Sequence, residues 1–163
     1  MKRGGITDPA LTLKVARAVG LPLEYACTVL ELETSGGRNV FGSDAGYHGP
    51  FKGMTVTRAR YEAYRAWAQR TGEHNGVGYT QLTSDFLQVR ADELGGCWKP
   101  GPNMRVGFEY LRELIAAAGD PQLGFTHYNG AASYGRLAME RAAAWRLLLG
   151  EELGAPSSAA TVA

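Results

Sequence analysis

Cysteine is scarce in this sequence, with two residues among 163, so no disulfide framework can hold the chain together. It must build a hydrophobic core of its own, and its length suits a single domain with one such core. Charge of one sign is also lacking. Seventeen Lys and Arg against sixteen Asp and Glu leave a formal net charge of +1, and the basic residues are scattered. That removes the electrostatic case for nucleic acid or an anionic membrane as partner. No apolar run is long enough to cross a bilayer, and Met1-Lys2-Arg3-Gly4-Gly5 has no apolar stretch behind it, so neither a span nor a signal peptide is read. His48, His74 and His127 with Cys27 and Cys97 are the whole pool of soft metal ligands, and no two lie at ligand spacing. Metal is therefore not expected, nor is any other cofactor. No serine sits in a nucleophile elbow. Cys27 falls on the apolar side of an expected helix and reads as a buried thiol. Cys97 falls in Gly95-Gly96-Cys97-Trp98, a loop, and a bond between the two is left open.

What is present is mostly helical pattern. Asp8 and Pro9 open a first helix that Gly20 ends, with Leu11, Val15 and Val19 recurring every fourth residue. A second helix is predicted from Pro22 to about Thr34, stopped by Ser35-Gly36-Gly37. After a glycine-rich irregular stretch, residues 38–54, a third runs from about Thr57 to Arg70, with Tyr61, Tyr64, Trp67 and Ala68 on one side. Gly72 to Thr83 reads as a loop or short hairpin, and Ser84 to Leu94 as a fourth helix. A fifth has Asn103 as its cap and ends at Gly119, Asp120-Pro121 opens a sixth, and Ser133 to Leu149 forms the last. The expectation is a mainly α fold of six or seven helices with at most one small β-hairpin, around residues 39–56 or 75–82. Residues 1–152 would form the domain, and 153–163 a linker-like tail.

Two glutamates near the end of the second helix differ in their surroundings. At 100° per residue, Leu23, Ala26, Cys27 and Leu30 make one apolar face. Glu33 lies at its edge, whereas Glu31 falls with Glu24 and Thr28 on the opposite, wettable side. Burial and the negative end of the helix dipole both favour the protonated form of Glu33 and raise its pKa. Such a group can protonate a leaving sugar oxygen. The residues alone leave open a salt-bridged glutamate at a frayed helix end.

A resemblance bears on that choice. Glu33-Thr34-Ser35-Gly36-Gly37-Arg38-Asn39 resembles the Glu-Ser motif of the lysozyme-like superfamily that includes soluble lytic transglycosylases and goose-type lysozymes. Gly78-Tyr79-Thr80-Gln81-Leu82 is similar to its Gly-Leu-Met-Gln motif. Asn103 to Leu111 resembles its Asn-x-x-x-Gly-x-x-Tyr-Leu helix, and Tyr128-Asn129-Gly130 its Tyr-Asn-Gly element. The motifs stand in the family's order across residues 22–135. The glycosidase domains of endolysins from phages of actinobacteria resemble the chain most, through Gly36-Gly37-Arg38-Asn39-Val40-Phe41-Gly42 and Gly95-Gly96-Cys97-Trp98.

The resemblance implies a lysozyme-like fold and a peptidoglycan-degrading glycosidase that cuts the β-1,4 bond between N-acetylmuramic acid and N-acetylglucosamine. Glu33 would be the general acid. Thr34 replaces the usual Ser beside it and keeps the hydroxyl, as a substrate-binding position. Gln81 would hold the sugar or a water, Tyr128 would hydrogen-bond near the catalytic carboxyl, and Asn129 would shape the groove floor. Asn103 and Gly107 read as structure: a cap, and a close helix contact with no room for a side chain. The helix at 57–70 lies in an insertion relative to the family, a candidate wall or lid. Loop residues Tyr47, Phe51, Tyr79, Trp98 and Tyr128, with Asn75, Gln81 and Asn129, supply the aromatic faces and amides a polysaccharide groove needs. Trp67 and Trp145 read as core.

Inverting hydrolysis needs a second carboxylate about 6.5–9.5 Å from the acid. Asp44 is the candidate, at a distance after Glu33 similar to that of an acidic residue in goose-type lysozymes; the family's other acidic position is Thr83 here. With Asp44 facing Glu33 the enzyme is a hydrolase. With Glu33 alone it is a lytic transglycosylase leaving 1,6-anhydro ends. A non-catalytic wall-binding or phage-tail module is the alternative of another class. The expected partner is the glycan strand, met by a monomer made in a host cytoplasm and reaching the wall on release.

Overall fold

The computed structural model describes residues 1–154, and among these the chain is mainly helical, with seven helices and no sheet. They are α1 (Pro9–Val19), α2 (Leu23–Thr34), α3 (Arg58–Thr71), α4 (Asp85–Glu93), α5 (Pro100–Ala118), α6 (Pro121–Asn129) and α7 (Ala132–Gly154). Their ends follow local chemistry. Asp8, Thr57, Ser84 and Asp120 each accept a backbone N–H of the first turn, and Gly20, Gly72 and Gly119 close helices in the left-handed region. Residues 153 and 154, expected as tail, still belong to α7; the rest of that tail lies outside the described residues.

One expected boundary is wrong. Asn103 does not cap the fifth helix, which begins three residues earlier at Pro100. Two prolines in the first turn are compatible with a helix because the N–H groups they lack would have had no intrahelical partner there. Asn103 is instead fully buried and donates through Nδ2 to the carbonyls of Val77 and Cys97, while its Oδ1 accepts the Thr80 N–H.

The apolar residues divide into two cores. The larger gathers Val15, Ala26, Leu30, Met104, Phe108, Leu111, Phe125 and Trp145 from α1, α2, α5, α6 and α7. The smaller gathers Phe41, Tyr47, Tyr61, Tyr64, Val77, Leu82 and Leu87 from α3, α4 and the loops between, closed by Val106 of α5. Cys27 lies in the first and Cys97 in the second, so they are separate buried thiols. Desolvation pushes both up to about 12. The two regions where a small hairpin was expected join in one loop layer through isolated antiparallel bridges, Val40 with Thr55 and Phe41 with Val77. Asn39 fastens that layer by donating to the carbonyls of Val56 and Trp98.

Helix α3 buries Tyr61, Tyr64 and Ala68 in the smaller core and itself supplies no residue to the main cavity, although Gly53 and His74 of the loops flanking it do. Gly107 of α5 matches its expected role, since a Cβ there would sit 2.2 Å from Thr80 Oγ1. That close approach lets α5 support the loop carrying Gln81.

Candidate active site

Glu33 sits in the last turn of α2, and the turn after it fixes where it points. Ser35, in the left-handed region, donates its N–H to the Glu31 carbonyl at 2.9 Å, and Gly36 donates to Leu30 at 2.9 Å. This closes the helix and folds the chain away at once. Arg38 then reaches back, its Nε donating to the Thr34 carbonyl at 3.0 Å and one terminal nitrogen to Ser35 Oγ at 3.2 Å. A cation here offsets the helix dipole's negative end.

The Glu33 carboxyl faces a cavity of about 880 Å³ between the two cores. Val40 to Asp44, Gly53, His74, Gln81 and Thr83 line it from the loop side, and Tyr128 and Asn129 from α6. Of the expected site residues, Glu33, Asp44, Gln81, Tyr128 and Asn129 therefore meet in one place. Burial drives the Glu33 carboxyl up from 4.5 to about 7, opposed by a hydrogen bond from Tyr134 and reinforced by the Asp44 charge. The direction matches the helical-face expectation, and Asp44 is close enough to act on the acid.

Asp44 is held from two sides. Its Oδ2 accepts the Gly76 N–H at 2.9 Å, and its own N–H donates to Asn75 Oδ1 at 3.3 Å. Asn75, expected among the groove amides, is fully buried and spends its Nδ2 on the Gly42 carbonyl at 2.9 Å. Its place is behind Asp44, holding the loop. Gln88, which sequence patterning passed over, anchors the next loop by donating to the carbonyl of Leu82 at 2.8 Å.

Gln81 has a positive φ of 50°, an uncommon conformation for a non-glycine residue. Its Nε2 donates to the carbonyls of Val40 at 2.9 Å and Gly78 at 2.7 Å, so both N–H groups hold the loop layer. What Gln81 turns to the cavity is therefore acceptor rather than donor. Gly42 makes room for it: a Cβ there would lie 2.6 Å from Gln81 Oε1.

Two expectations about tyrosines change. Tyr128 does line the cavity, but its hydroxyl donates to the Thr80 carbonyl at 2.7 Å. The group on the acid is Tyr134, at the start of α7, whose hydroxyl donates to Glu33 Oε1 at 2.5 Å. It lies four residues beyond the end of the Tyr-Asn-Gly element, and only the packing of α7 on α2 brings it to Glu33. Burial, reinforced by the Glu33 carboxyl, pushes the Tyr134 hydroxyl far up, so it serves as a donor and keeps its proton.

The remaining expected contacts fall elsewhere. Thr34 is buried and donates to the Tyr79 carbonyl at 2.9 Å, a link between α2 and the Gln81 loop rather than a substrate contact. Tyr79 lines a neighbouring compartment. Tyr47 is fully buried in the smaller core, Phe51 packs on it, and Trp98 lies between Tyr61 and the cations of Arg58 and Lys99. The large aromatic area that sequence assigned to the groove is mostly core. Trp145 is in the larger core, as expected, and Trp67 packs at the edge of the smaller one.

Glu31 is not on a free wettable face. Thr28 is fully buried, Glu24 pairs with Arg146, and Glu31 accepts the Trp145 indole N–H at 2.7 Å with Arg141 at 3.6 Å. Helix α7 covers that side of α2. Among the described residues no three His, Cys, Asp or Glu converge as metal ligands, and no helix is long and apolar enough to cross a membrane. In comparisons with family models, curated proteins and solved structures, nothing matches the chain.

Proposed function

We propose that this protein is a lysozyme-like glycosidase that cuts the glycan strands of peptidoglycan, between N-acetylmuramic acid and N-acetylglucosamine. One observation carries the reading. A carboxyl group raised to about 7 and a second carboxylate, Asp44, face the same open cavity. A protonated acid beside an ionised one is the pairing that glycoside hydrolysis requires.

In this mechanism Glu33 donates its proton to the glycosidic oxygen as the bond breaks. Tyr134 holds one carboxyl oxygen, which leaves the other to face the substrate and takes up part of the charge left on Glu33. Asp44, oriented by the Gly76 N–H, accepts a proton from the attacking water. Gln81 offers an acceptor to a sugar hydroxyl or N–H, and the exposed Asn129 amide a second contact. No cofactor takes part. The proposed setting is that of a phage endolysin: a monomer made in the host cytoplasm that meets the wall on release.

The test is turbidity loss of a bacterial wall suspension by wild type and Glu33→Gln. Clearing by wild type and none by a folded Glu33→Gln variant supports the assignment. Equal clearing by both overturns it. The product end separates hydrolysis, which leaves a reducing end, from the 1,6-anhydro product of Glu33 acting alone.

A further inference from the structure

Residues 1–7 run as a strap between α7 and the turn that ends α2. Met1 and Ile6 are buried in the larger core, and Gly4 lies against the Trp145 ring of α7, where a Cβ would have no room. Gly5 meets Gly36 backbone to backbone, since a Cβ on Gly36 would run into the Gly5 carbonyl. Thr7 completes the contact. Its N–H donates to the Gly36 carbonyl at 2.9 Å, and its hydroxyl shares one proton between that carbonyl at 3.1 Å and the Gly37 carbonyl at 2.7 Å. The turn needs such a hold. Ser35, Gly36 and Gly37 have φ of 53°, 100° and 91°, and the two glycines are free to leave that conformation. Among the described residues, Thr7 supplies every hydrogen bond that the two glycine carbonyls accept.

Glu33 stands in the last turn of α2, which this strap closes. Helix α7 therefore reaches the acid twice: directly through Tyr134, and through Trp145, on which the strap rests. The titratable and charged groups facing Glu33 are Tyr134 of α7, Tyr128 of α6, Asp44 and His74 of the loops, and Arg38 just beyond the turn. Thr7 hydrogen-bonds to none of them, so it acts on the acid through the turn. We propose that residues 1–7 position the acid, with Thr7 locking the Gly36-Gly37 turn so that Glu33 keeps its place and its burial beside the cavity. The effect on turnover rests on the glycosidase reading; the effect on the carboxyl stands apart from it.

The experiment follows the Glu33 carboxyl by carbon NMR titration, and measures kcat and KM on soluble glycan strands, in wild type, Thr7→Val, Thr7→Ser and Thr12→Val. Valine keeps the branched shape and removes the hydroxyl, and Thr7 is exposed, so the cores stay filled. Thr12 is the control: its hydroxyl donates within α1 to the Asp8 carbonyl at 2.8 Å. In Thr7→Val the loosened turn admits water to Glu33, and its titration midpoint should fall by about half a unit or more toward 4.5. Maximal kcat should fall about tenfold with KM within about twofold, because the acid is displaced while the groups lining the cavity stay. Thr7→Ser should restore both, and Thr12→Val should match wild type in both. An unmoved midpoint in Thr7→Val, an unchanged kcat beside an active wild type, no rescue by serine, or the same shift in Thr12→Val overturns the strap. A midpoint that moves as expected, in a protein whose wild type cuts no glycan, keeps the strap and overturns the glycosidase reading.

Discussion

Glu33→Gln should make the protein more stable at alkaline pH while removing the proposed acid. In the folded chain Glu33 titrates near 7 rather than at 4.5. Below the lower value both folded and unfolded states hold the proton, and the buried carboxyl costs nothing. Between the two values the unfolded chain releases its proton while the folded chain retains it, so stability falls as pH rises. Above about 7 the whole cost is present. At about 1.4 kcal/mol per pKa unit the shift corresponds to about 3 kcal/mol. Glutamine has the same shape, carries no charge, and its Oε1 can still accept from the Tyr134 hydroxyl. Its amide must also be partly desolvated, which brings the expected gain at pH 8 to roughly 2 kcal/mol, or about 4–8 °C in Tm for a chain of this size. At pH 4 the amide's cost alone remains, and the variant should be roughly 1 kcal/mol less stable than wild type. Thermal unfolding followed by circular dichroism at both pH values gives the comparison, and titration of every other group cancels in the difference. A variant no more stable than wild type at pH 8, or offset equally at both pH values, would refute the claim that Glu33 is held protonated by burial.

Other perturbations follow from the same contacts. Tyr134→Phe removes the donor that favours ionised Glu33, so the alkaline limb of the pH–rate profile, near pH 7 in wild type, should rise by about one unit; an unmoved limb contradicts the contact. Asp44→Asn should cut kcat about 100-fold or more as the general base is lost. It should also move the alkaline limb downward, because a charge that raises Glu33 has gone. Glu31→Gln should leave wall clearing within about twofold while lowering stability by about 1 kcal/mol, since the Trp145 indole then donates to a neutral acceptor. Urea unfolding and the turbidity assay, run on one preparation, separate the two effects.

The helices were legible in the sequence because their signals are local: an Asp-Pro opening, a four-residue apolar period, a terminal glycine. Asn103 misled because Asn is a favoured cap residue, yet the prolines just before it start the helix earlier and its amide finds three partners in a buried loop. Glu33 could be placed at the edge of an apolar face by counting residues along α2. The same counting put Glu31 in water, because it cannot know that α7 packs over that side. Aromatic residues in loops carried no indication of which way they faced. Tyr47, Phe51 and Trp98 went to a small second core that holds the loops in place. Tyr134 was invisible for a related reason: it lies 101 residues from Glu33, and the contact exists only once α7 docks on α2. The acid, Asp44, Gln81, Tyr128 and Asn129 could all be named from their motifs. The group that tunes the acid could not.

Mass spectrometry of the fragments released from purified peptidoglycan by wild type and by Glu33→Gln tests the central claim most directly. Disaccharide-peptides cut on the muramic side, from wild type alone, are the predicted result, with reducing ends where Asp44 activates water. Release of free peptides from uncut glycan, or the same fragments from Glu33→Gln, would contradict it.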